Sequence, residues 1–354
     1  MSNFDEYKKE GEPEKYEKAE NWQIAIGLQA VDGLKPSEYL IELAKKNIES
    51  EMTIAEVKAN LESYYVAKPK KTDDKERKDE ADKVSAHITE ILSEKAFTFS
   101  PAEYIGIHKR LFDGVFTHAG LTRGYNITKG EWVLDGDTVH YANAAILGNA
   151  LDYDFDKERK HNYKGLSKKQ MAEHITEFTI NIWQIHPFCE GNTRTTAVFI
   201  IKYLRSLGFK GVSNYLFADH SWYFRNALVR AAATNVFEGV YPDRTFIDRF
   251  FGNLLLGEKH ILRNRDLHIN AGENATVKGK NATVKISATQ NAILGLLSGN
   301  GKLTAEDIAG DIGKDLVTIK RAIKGLKDKG LLERIGSDKT GYWKVKGGDG
   351  NGIH

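Results

Sequence analysis

The chain has 354 residues, more than one hydrophobic core usually organises, so its length predicts two or three domains. Its hydrophobic fraction of 41% and aromatic fraction of 10% exclude wholesale disorder, and its net charge of only +2 excludes a chain-wide polybasic coat for nucleic acid. A single cysteine excludes an intramolecular disulfide and any multi-thiolate metal site.

Residues 1–67 predict an N-terminal helical segment. Apolar residues at helical spacing from Trp22 indicate a helix that ends near Asp32 and Gly33, and residues 53–56 have the pattern of a capping box. The charged start of the chain lacks the apolar core of a secretory signal, and no apolar run reaches the ~18 residues of a membrane helix. We therefore expect a cytoplasmic protein without a membrane partner. Residues 68–96 predict a charged linker and helix with no evident chemistry.

Residues 97–265 predict a helical core. Ser100 opens a capping pattern, in which a hydroxyl is followed by a first-turn proline and then an acid. Two dense apolar stretches, residues 171–184 and 195–207, predict buried helices. Ahead of them, residues 131–141 predict a β-hairpin whose turn is an Asp-Gly pair.

The last part of the chain predicts a separate module. Residues 266–286 contain a polar, glycine-bearing tandem duplication of seven residues, which is typical of a linker. Residues 287–346 predict a winged helix-turn-helix domain, with three helices followed by two strands that flank a wing. A basic outer face on the third of these helices favours contact with DNA, and is formed by Lys320, Arg321, Lys324 and Lys327. The alternative is a solvated face on a module that binds another protein.

The segment between the two buried helices carries the chemistry. His186 ends the first helix and is suited to accept a proton near neutral pH. Glu190 offers the hard oxygen ligand that suits Mg²⁺. Arg194 adds a forked cation for phosphate. Free N–H groups at the start of the second helix favour a phosphate cradle, formed by Gly191, Asn192 and Thr193. Together these residues indicate nucleotide-dependent transfer to a hydroxyl.

Each of these residues has a plainer interpretation when taken alone. A histidine beside a helix end is more often a cap or a core group, and the other side chains are common as solvated acids, turn formers or surface cations. Their order between two apolar helices makes the combined site the favoured interpretation. Cys189 lies inside the segment without an activating base in the pattern, so we expect it to be a packing residue.

The segment closely resembles the core motif of the Fic family (filamentation induced by cAMP), which reads His-x-Phe-x-acid-Gly-Asn-Gly/Lys-Arg-x-x-Arg. The resemblance covers residues 97–251, in which residues 131–141 are similar to the target-docking flap of the family. It implies a mainly α protein, with a Fic helical core and a small β-hairpin flap. Here that core is followed by the predicted C-terminal winged helix-turn-helix domain.

The resemblance implies transfer of AMP from ATP to a Ser, Thr or Tyr hydroxyl of a protein, with Mg²⁺ as cofactor. His186 would be the general base, Glu190 would hold the Mg²⁺, and Arg194 would grip the departing phosphates. The rest of the phosphate site would be Gly191, Asn192 and Thr193. The protein substrate would dock as an added strand on the flap, at Val133, Thr138, Val139 and His140. The second expected partner is DNA, and a homo-oligomer is compatible with the sequence.

Two departures from the family motif bear on activity. Thr193 replaces a small residue, and its β-branched side chain narrows the pocket. Ala197 replaces the final Arg, which removes one charge-assisted contact to phosphate, worth about 1.5–3 kcal/mol in general. Two alternatives therefore stay open. The first is a catalytically weakened scaffold that acts as a DNA-binding regulator, and the second is a transferase that uses another nucleotide or a phosphocholine donor.

The N-terminal segment raises a question of regulation. Residues 25–36 resemble the antitoxin-type inhibitory helix of the family, in which a Glu pairs with the final Arg of the motif. Here the acid is Asp32, followed by Gly33, and the hydroxyl position of that helix is Leu28. Our hypothesis is that residues 21–66 inhibit weakly or through another contact. The alternative is an ordinary helical cap on the core.

Overall fold

The computed structural model describes residues 4–67, 73–209, 214–236, 238–270, 288–328, 331–335 and 341–345. The chain divides into two compact units, Met1–Ala275 and Thr276–His354. Both units are built mainly from helices, which confirms the mainly α prediction. No helix among the described residues is long and apolar enough to cross a membrane.

The first unit contains twelve α-helices in its described residues. They are α1 (Tyr7–Glu10), α2 (Pro13–Leu28), α3 (Glu38–Ile48), α4 (Ile54–Val66), α5 (Asp73–Ser93), α6 (Pro101–Leu111), α7 (Leu147–Arg159), α8 (Lys168–Ile185), α9 (Asn192–Ser206), α10 (Tyr215–Asp219), α11 (Ser221–Ala232) and α12 (Thr245–Phe251). Short 3₁₀ turns lie at Gln29–Asp32, Trp132–Leu134, Ala144–Ile146 and Asn264–Leu267, and a π turn lies at Gly252–Leu256.

Helix α9 forms the centre of the first unit. Every residue from Asn192 to Leu204 is buried, as expected where helices pack on all sides of one helix. Helices α6 and α8 pack against it, and α8 in turn contacts α11 and α12. Helix α2 joins this core through Leu28, while its opposite face forms a second core with α3 and α4, where Trp22 is fully buried. The N-terminal segment is therefore packed tightly onto the core.

Several helix starts follow from the sequence as predicted. Ser100 accepts a hydrogen bond from the Glu103 N–H at 3.1 Å, with Pro101 in the first turn, so α6 begins where the capping pattern placed it. Thr53 and Glu56 form the reciprocal capping box at the start of α4. These local hydrogen bonds satisfy N–H groups that a helix leaves free at its start.

The predicted β-hairpin over residues 131–141 is wrong. Val133 and Leu134 are both buried, whereas neighbouring residues of a strand face opposite sides, and the chain forms a 3₁₀ turn there instead. The turn itself is where the sequence predicted it, since Asp135 (φ 55°) and Gly136 (φ 93°) both adopt positive φ. The Glu131 N–H donates to the Asp137 carbonyl at 2.8 Å, which closes this loop.

Beyond residue 265 the chain remains part of the first unit. Leu267 is fully buried, and the Ile269 N–H donates to the Val133 carbonyl at 2.9 Å. The predicted linker lies over residues 266–286, but residues 271–287, which contain the whole tandem duplication, lie outside the described residues. The same holds for residues 336–340 of the predicted wing.

The second unit contains three helices followed by two strands in its described residues. They are α13 (Ala288–Gly299), α14 (Ala305–Ile312), α15 (Leu316–Asp328), β1 (Leu332–Ile335) and β2 (Tyr342–Val345). The strands are antiparallel, with Leu332 opposite Val345. Thr304 and Asp307 form a capping box at the start of α14. A small core of its own includes Ile308, Ile319 and Ile323. The order of these helices and strands is the one expected for the predicted winged helix-turn-helix domain, and that assignment stays a prediction.

Candidate active site

The candidate site lies at the turn that joins α8 to α9. His186 ends α8 in the left-handed conformation (φ 51°, ψ 58°), which costs a non-glycine residue about 1–2 kcal/mol. Pro187 cannot continue the helix. The ring of Phe188 is buried and stacks on the ring of His108, with 3.7 Å between centroids. This aromatic anchor fixes the turn in the core.

His108 holds the turn from a second side. Its Nε2 lies 3.1 Å from the Glu190 carbonyl, and its Nδ1 accepts a hydrogen bond from the Gly120 N–H at 2.8 Å. One ring nitrogen therefore donates and the other accepts, which describes a neutral imidazole. Burial lowers the pKa of His108 to about 4, so it remains neutral at physiological pH. His108 is a structural residue of the turn.

The imidazole of His186 is buried, with 4% of the residue exposed. Its Nδ1 lies 3.3 Å from the Trp183 carbonyl, which can only accept, so the proton of the neutral ring belongs on Nδ1. Its Nε2 is buried and has no hydrogen-bond partner among the described residues. The ring of Tyr141 covers it, with centroids 4.1 Å apart. Nε2 therefore presents a free lone pair.

The electrostatics of the site keep His186 in this neutral form. Burial lowers its pKa well below the ordinary value of 6.5, and the positive charge of Lys129 acts in the same direction. The hydrogen bond to Trp183 opposes this shift only in part, and Arg225 and Arg123 add to the lowering. A neutral, desolvated imidazole with a free Nε2 is the form that accepts a proton.

The start of α9 requires glycine. Gly191 has φ 74°, and a Cβ on it would come within 2.2 Å of the ring of Phe112. The Asn192 side chain both accepts from the Phe188 N–H (3.0 Å) and donates to the Phe188 carbonyl (2.8 Å). Thr193 Oγ1 accepts from the indole N–H of Trp183 at 2.9 Å. These side-chain hydrogen bonds stabilise the turn and occupy the Asn192 and Thr193 side chains. An anion bound here would therefore contact the main-chain N–H groups of the first turn of α9.

Glu190 is the exposed acid of the site. Its carboxylate lies 3.7 Å from the Lys129 ammonium, while its side chain remains about half exposed. Mg²⁺ in nucleotide sites commonly takes one or two protein carboxylates and completes its shell with water and phosphate. Glu190 is suited to supply one such carboxylate. No group of three or more acids, histidines or cysteines that could hold a metal occurs in the described part of the chain.

Arg194 is almost fully enclosed, with 1% of the residue exposed. Its Nε lies 2.8 Å from the Asp32 carboxylate, and its Nη2 lies 2.8 Å from the Glu80 carboxylate. Nη1 donates to Gln29 Oε1 at 3.0 Å, and the guanidinium lies over the Phe112 ring at 4.8 Å. We call Gln29, Asp32 and Glu80 the N-terminal clamp.

The clamp differs from the arrangement that the sequence suggested. Asp32 does contact the motif, but its partner is Arg194, while Ala197 is fully buried in the core. Glu80 belongs to the charged stretch in which the sequence showed no chemistry, and it is 114 residues from Arg194. Gly33 has φ 66° and lies beside the guanidinium of Arg77, which donates to its carbonyl at 2.8 Å.

The predicted docking residues are mostly enclosed. Val133 and Val139 are buried, and Thr138 Oγ1 accepts from the Lys129 N–H at 3.2 Å. His140 is exposed, and its carbonyl accepts from Gln184 Nε2 at 3.2 Å. The strand that was to receive a target is absent from this segment, so the docking role of these four residues stays a prediction.

The loop is instead anchored by a buried carboxylate that sequence reasoning missed. Glu131 is 1% exposed and forms two contacts with the Arg225 guanidinium, at 2.7 and 3.0 Å. The Tyr141 hydroxyl lies 3.3 Å from the same carboxylate. This anchor fixes the ring that covers His186.

Comparison with known proteins finds similarity in the middle of the chain. Residues 98–204 match the model of the Fic/DOC family. The chain is 30% identical over 110 residues to a probable protein adenylyltransferase of Sinorhizobium fredii, and 27% identical over 123 residues to a protein adenylyltransferase of Bartonella henselae. Each match covers 31% of this chain, and they span 54% and 22% of those relatives, so the chain matches about half the length of the first and less of the second.

Solved structures give a weaker likeness. The N-terminal FIC domain of the Bep8 protein from Bartonella sp. 1-1C is 19% identical, with a TM-score of 0.41, over 52% of this chain and 87% of that one. A Fic family protein from Desulfovibrio desulfuricans G20 is 15% identical, with a TM-score of 0.40, over 94% and 89% of the two chains.

Proposed function

We propose that this protein transfers AMP from ATP to a hydroxyl of a protein, because residues 98–204 match the model of the Fic/DOC family. The single observation that carries the proposal is His186, a buried neutral imidazole with its proton directed to a carbonyl and its Nε2 free. The adenylyltransferase names of two relatives support the same reaction class. Both relatives match over only part of their length, so substrate and partners are proposals for this chain.

In the proposed reaction Nε2 of His186 takes the proton of the target hydroxyl. The hydroxyl oxygen forms a bond to the α-phosphorus of ATP, the bond from that phosphorus to the bridging oxygen breaks, and pyrophosphate leaves. The N–H groups at the start of α9 and the guanidinium of Arg194 bind phosphate oxygens. The imidazolium that forms afterwards returns its proton to solvent.

Glu190 would hold Mg²⁺. When bound, the ion supplies positive charge to the phosphates, which stabilises the charge that develops on the leaving group. The remaining ligands would come from phosphate and water, as the exposed position of Glu190 allows.

The reaction is tested by offering a panel of donors to the full chain. Protein, Mg²⁺ and each nucleoside triphosphate or CDP-choline are incubated separately, and the intact mass is read. We expect a mass increase of one AMP with ATP, and a smaller modified fraction of the protein with each of the other donors. If an adduct forms only with another nucleotide or with CDP-choline, that compound and not ATP is the donor. No adduct with any donor, on this chain or on added bacterial protein, would favour the scaffold interpretation.

For the second unit we propose contact with DNA through α15. One face of this helix is buried at Ile319, Ile323 and Leu326. The opposite face carries four exposed cations, at Lys320, Arg321, Lys324 and Lys327. Glu306 lies 3.7 Å from Lys320 and is the acid that offsets this charge in part. A one-sided basic helix in a nearly neutral chain favours phosphate contact.

Replacing the four cations of α15 by Gln should remove DNA retention at low salt. Each lost phosphate contact is expected to reduce the slope of log K against log salt by about 0.9. Fluorescence anisotropy with a labelled duplex measures both quantities. Lys302→Gln, an exposed cation before α14, is the matched control and should bind as the unaltered chain does. Equal DNA binding by the four-fold variant would remove this proposal.

A further inference from the structure

The main chain at His186 is held in an unusual conformation. It is one of three non-glycine residues with positive φ in the described part of the chain, with Ser50 and Asp135. Such a conformation persists only where the surrounding contacts fix it. The last carbonyls of α8 also lack partners within the helix. Some group outside α8 must therefore satisfy these oxygens and hold the turn.

Arg123 is that group. Its Nε donates to the His186 carbonyl at 2.8 Å, and its Nη2 lies 3.3 Å from the Ile185 carbonyl. Its own main-chain N–H donates to the Pro187 carbonyl at 2.8 Å. Three successive carbonyl oxygens at the C-terminal end of α8 are thus bound by one residue.

The same guanidinium also binds the segment that covers the imidazole. Nη1 donates to the Tyr125 carbonyl at 2.8 Å, and Nη2 donates to the Ala142 carbonyl. Ala142 follows Tyr141, whose ring lies on His186. Arg123 therefore connects the turn, its own loop and the covering aromatic ring.

The chemistry of these contacts requires an arginine. Arg123 is 3% exposed, and its side-chain partners among the described residues are all main-chain oxygens, with no carboxylate among them. A buried cation of this kind is costly unless its donors are all satisfied. Only the planar fork of arginine offers five donors in a fixed geometry, whereas lysine offers three from one atom.

We propose that Arg123 is a positioning residue for His186, which fixes the turn after α8 so that Nε2 faces the reacting groups. This inference rests on the proposed function of His186 as a base. The charged and titratable groups around that imidazole are Lys129, Arg225 and Arg123 itself, with Tyr141 over the ring. Arg123 differs from the other two cations because it also binds the main chain of His186.

Two substitutions separate the geometry of Arg123 from its charge. Arg123→Lys keeps the positive charge but loses the planar guanidinium with its five N–H donors, and Arg123→Met loses both the charge and the donors. A displacement of about 1 Å at a reacting group costs about 100-fold in rate, so we expect kcat to fall about 100-fold in both variants while KM for ATP changes less than threefold. Lys202→Met is the matched control, since Lys202 is a buried cation that binds the Ile91 and Glu94 carbonyls at the end of α5. It should lower Tm and leave kcat within threefold.

A second readout does not depend on activity. Long-range ¹H–¹⁵N NMR spectra of histidine rings report the tautomer of His186, and we expect the Nδ1–H form in the unaltered chain and in Lys202→Met. Arg123→Lys should show a mixture of tautomers. Unchanged kcat in the Arg123 variants, a similar fall of kcat in Lys202→Met, or an unchanged tautomer in Arg123→Lys would overturn the inference. Absence of transfer by the unaltered chain would instead contradict the proposed function, and the NMR spectra would still decide the role of Arg123.

Discussion

His186→Ala is expected to lower the rate of AMP transfer by about 10²–10⁴-fold, the usual contribution of a general base. The physical reason is the loss of the free Nε2, the atom that takes the proton of the hydroxyl. Radiolabel transfer from ATP measures the rate, and thermal unfolding shows that the variant is folded. His260→Ala, an exposed histidine that pairs with Glu258, is the matched control and should retain full activity. Equal activity in His186→Ala and the unaltered chain would contradict the assignment.

The pH dependence of the rate follows from the same residue. Burial lowers the pKa of His186 below 6.5, so the ring binds a proton only when the pH falls through that lower value. The base is therefore available at pH 6.5 and above, and the acidic fall in rate should lie below pH 6.5. A rate profile whose acidic midpoint lies at or above 6.5 would contradict this account.

Release of Arg194 from the N-terminal clamp is expected to raise activity. Both carboxylates bind the guanidinium at 2.8 Å, so phosphate oxygens must displace Asp32 and Glu80 before they can use it. The contact with Glu80 is a charge-assisted hydrogen bond, of a kind that contributes about 1.5–3 kcal/mol, and the contact with Asp32 is an ion pair. A difference of 1.4 kcal/mol corresponds to a factor of ten. We therefore expect Asp32→Asn with Glu80→Gln to raise the transfer rate at least about tenfold.

The isosteric double variant is a sharper test than deletion of the N-terminal segment. Deletion would remove the buried apolar residues of α2, Ile24 and Leu28 among them, and would expose the core residues that pack against them. Glu62→Gln is the matched control, because Glu62 pairs with Lys83 in the same segment. An unchanged rate in the double variant would show that the N-terminal segment is an ordinary helical cap, and a lower rate would show that the clamp orients Arg194 for catalysis.

The sequence predicted the features that depend on neighbours in the chain. The helix caps at Ser100 and Thr53 follow from local hydrogen bonds, and the burial of α9 follows from the spacing of its apolar residues. The structure confirms both predictions. The Asp-Gly turn at Asp135 was predicted for the same reason, because the positive φ values belong to that dipeptide.

The features that the sequence did not reveal depend on distant partners. The prediction of strands on either side of Asp135 was wrong because Val133 and Leu134 are both buried in the core. Their burial depends on the surrounding helices and cannot be read from neighbouring residues in the sequence. Glu80 resembles any acid of a solvated charged helix until folding places it against Arg194. Arg123 binds main-chain oxygens, which have no sequence signature at all.

The central claim is tested most directly by the position of the phosphate that the protein acquires. The full chain is incubated with Mg²⁺ and ATP that carries radioactive phosphorus either at the α-phosphate or at the γ-phosphate, and the label retained on protein is measured beside His186→Ala. We predict that label from the α-phosphate is retained, that label from the γ-phosphate is not, and that His186→Ala retains neither. Retention of the γ-label, or equal retention of the α-label by His186→Ala, would contradict AMP transfer with His186 as its base.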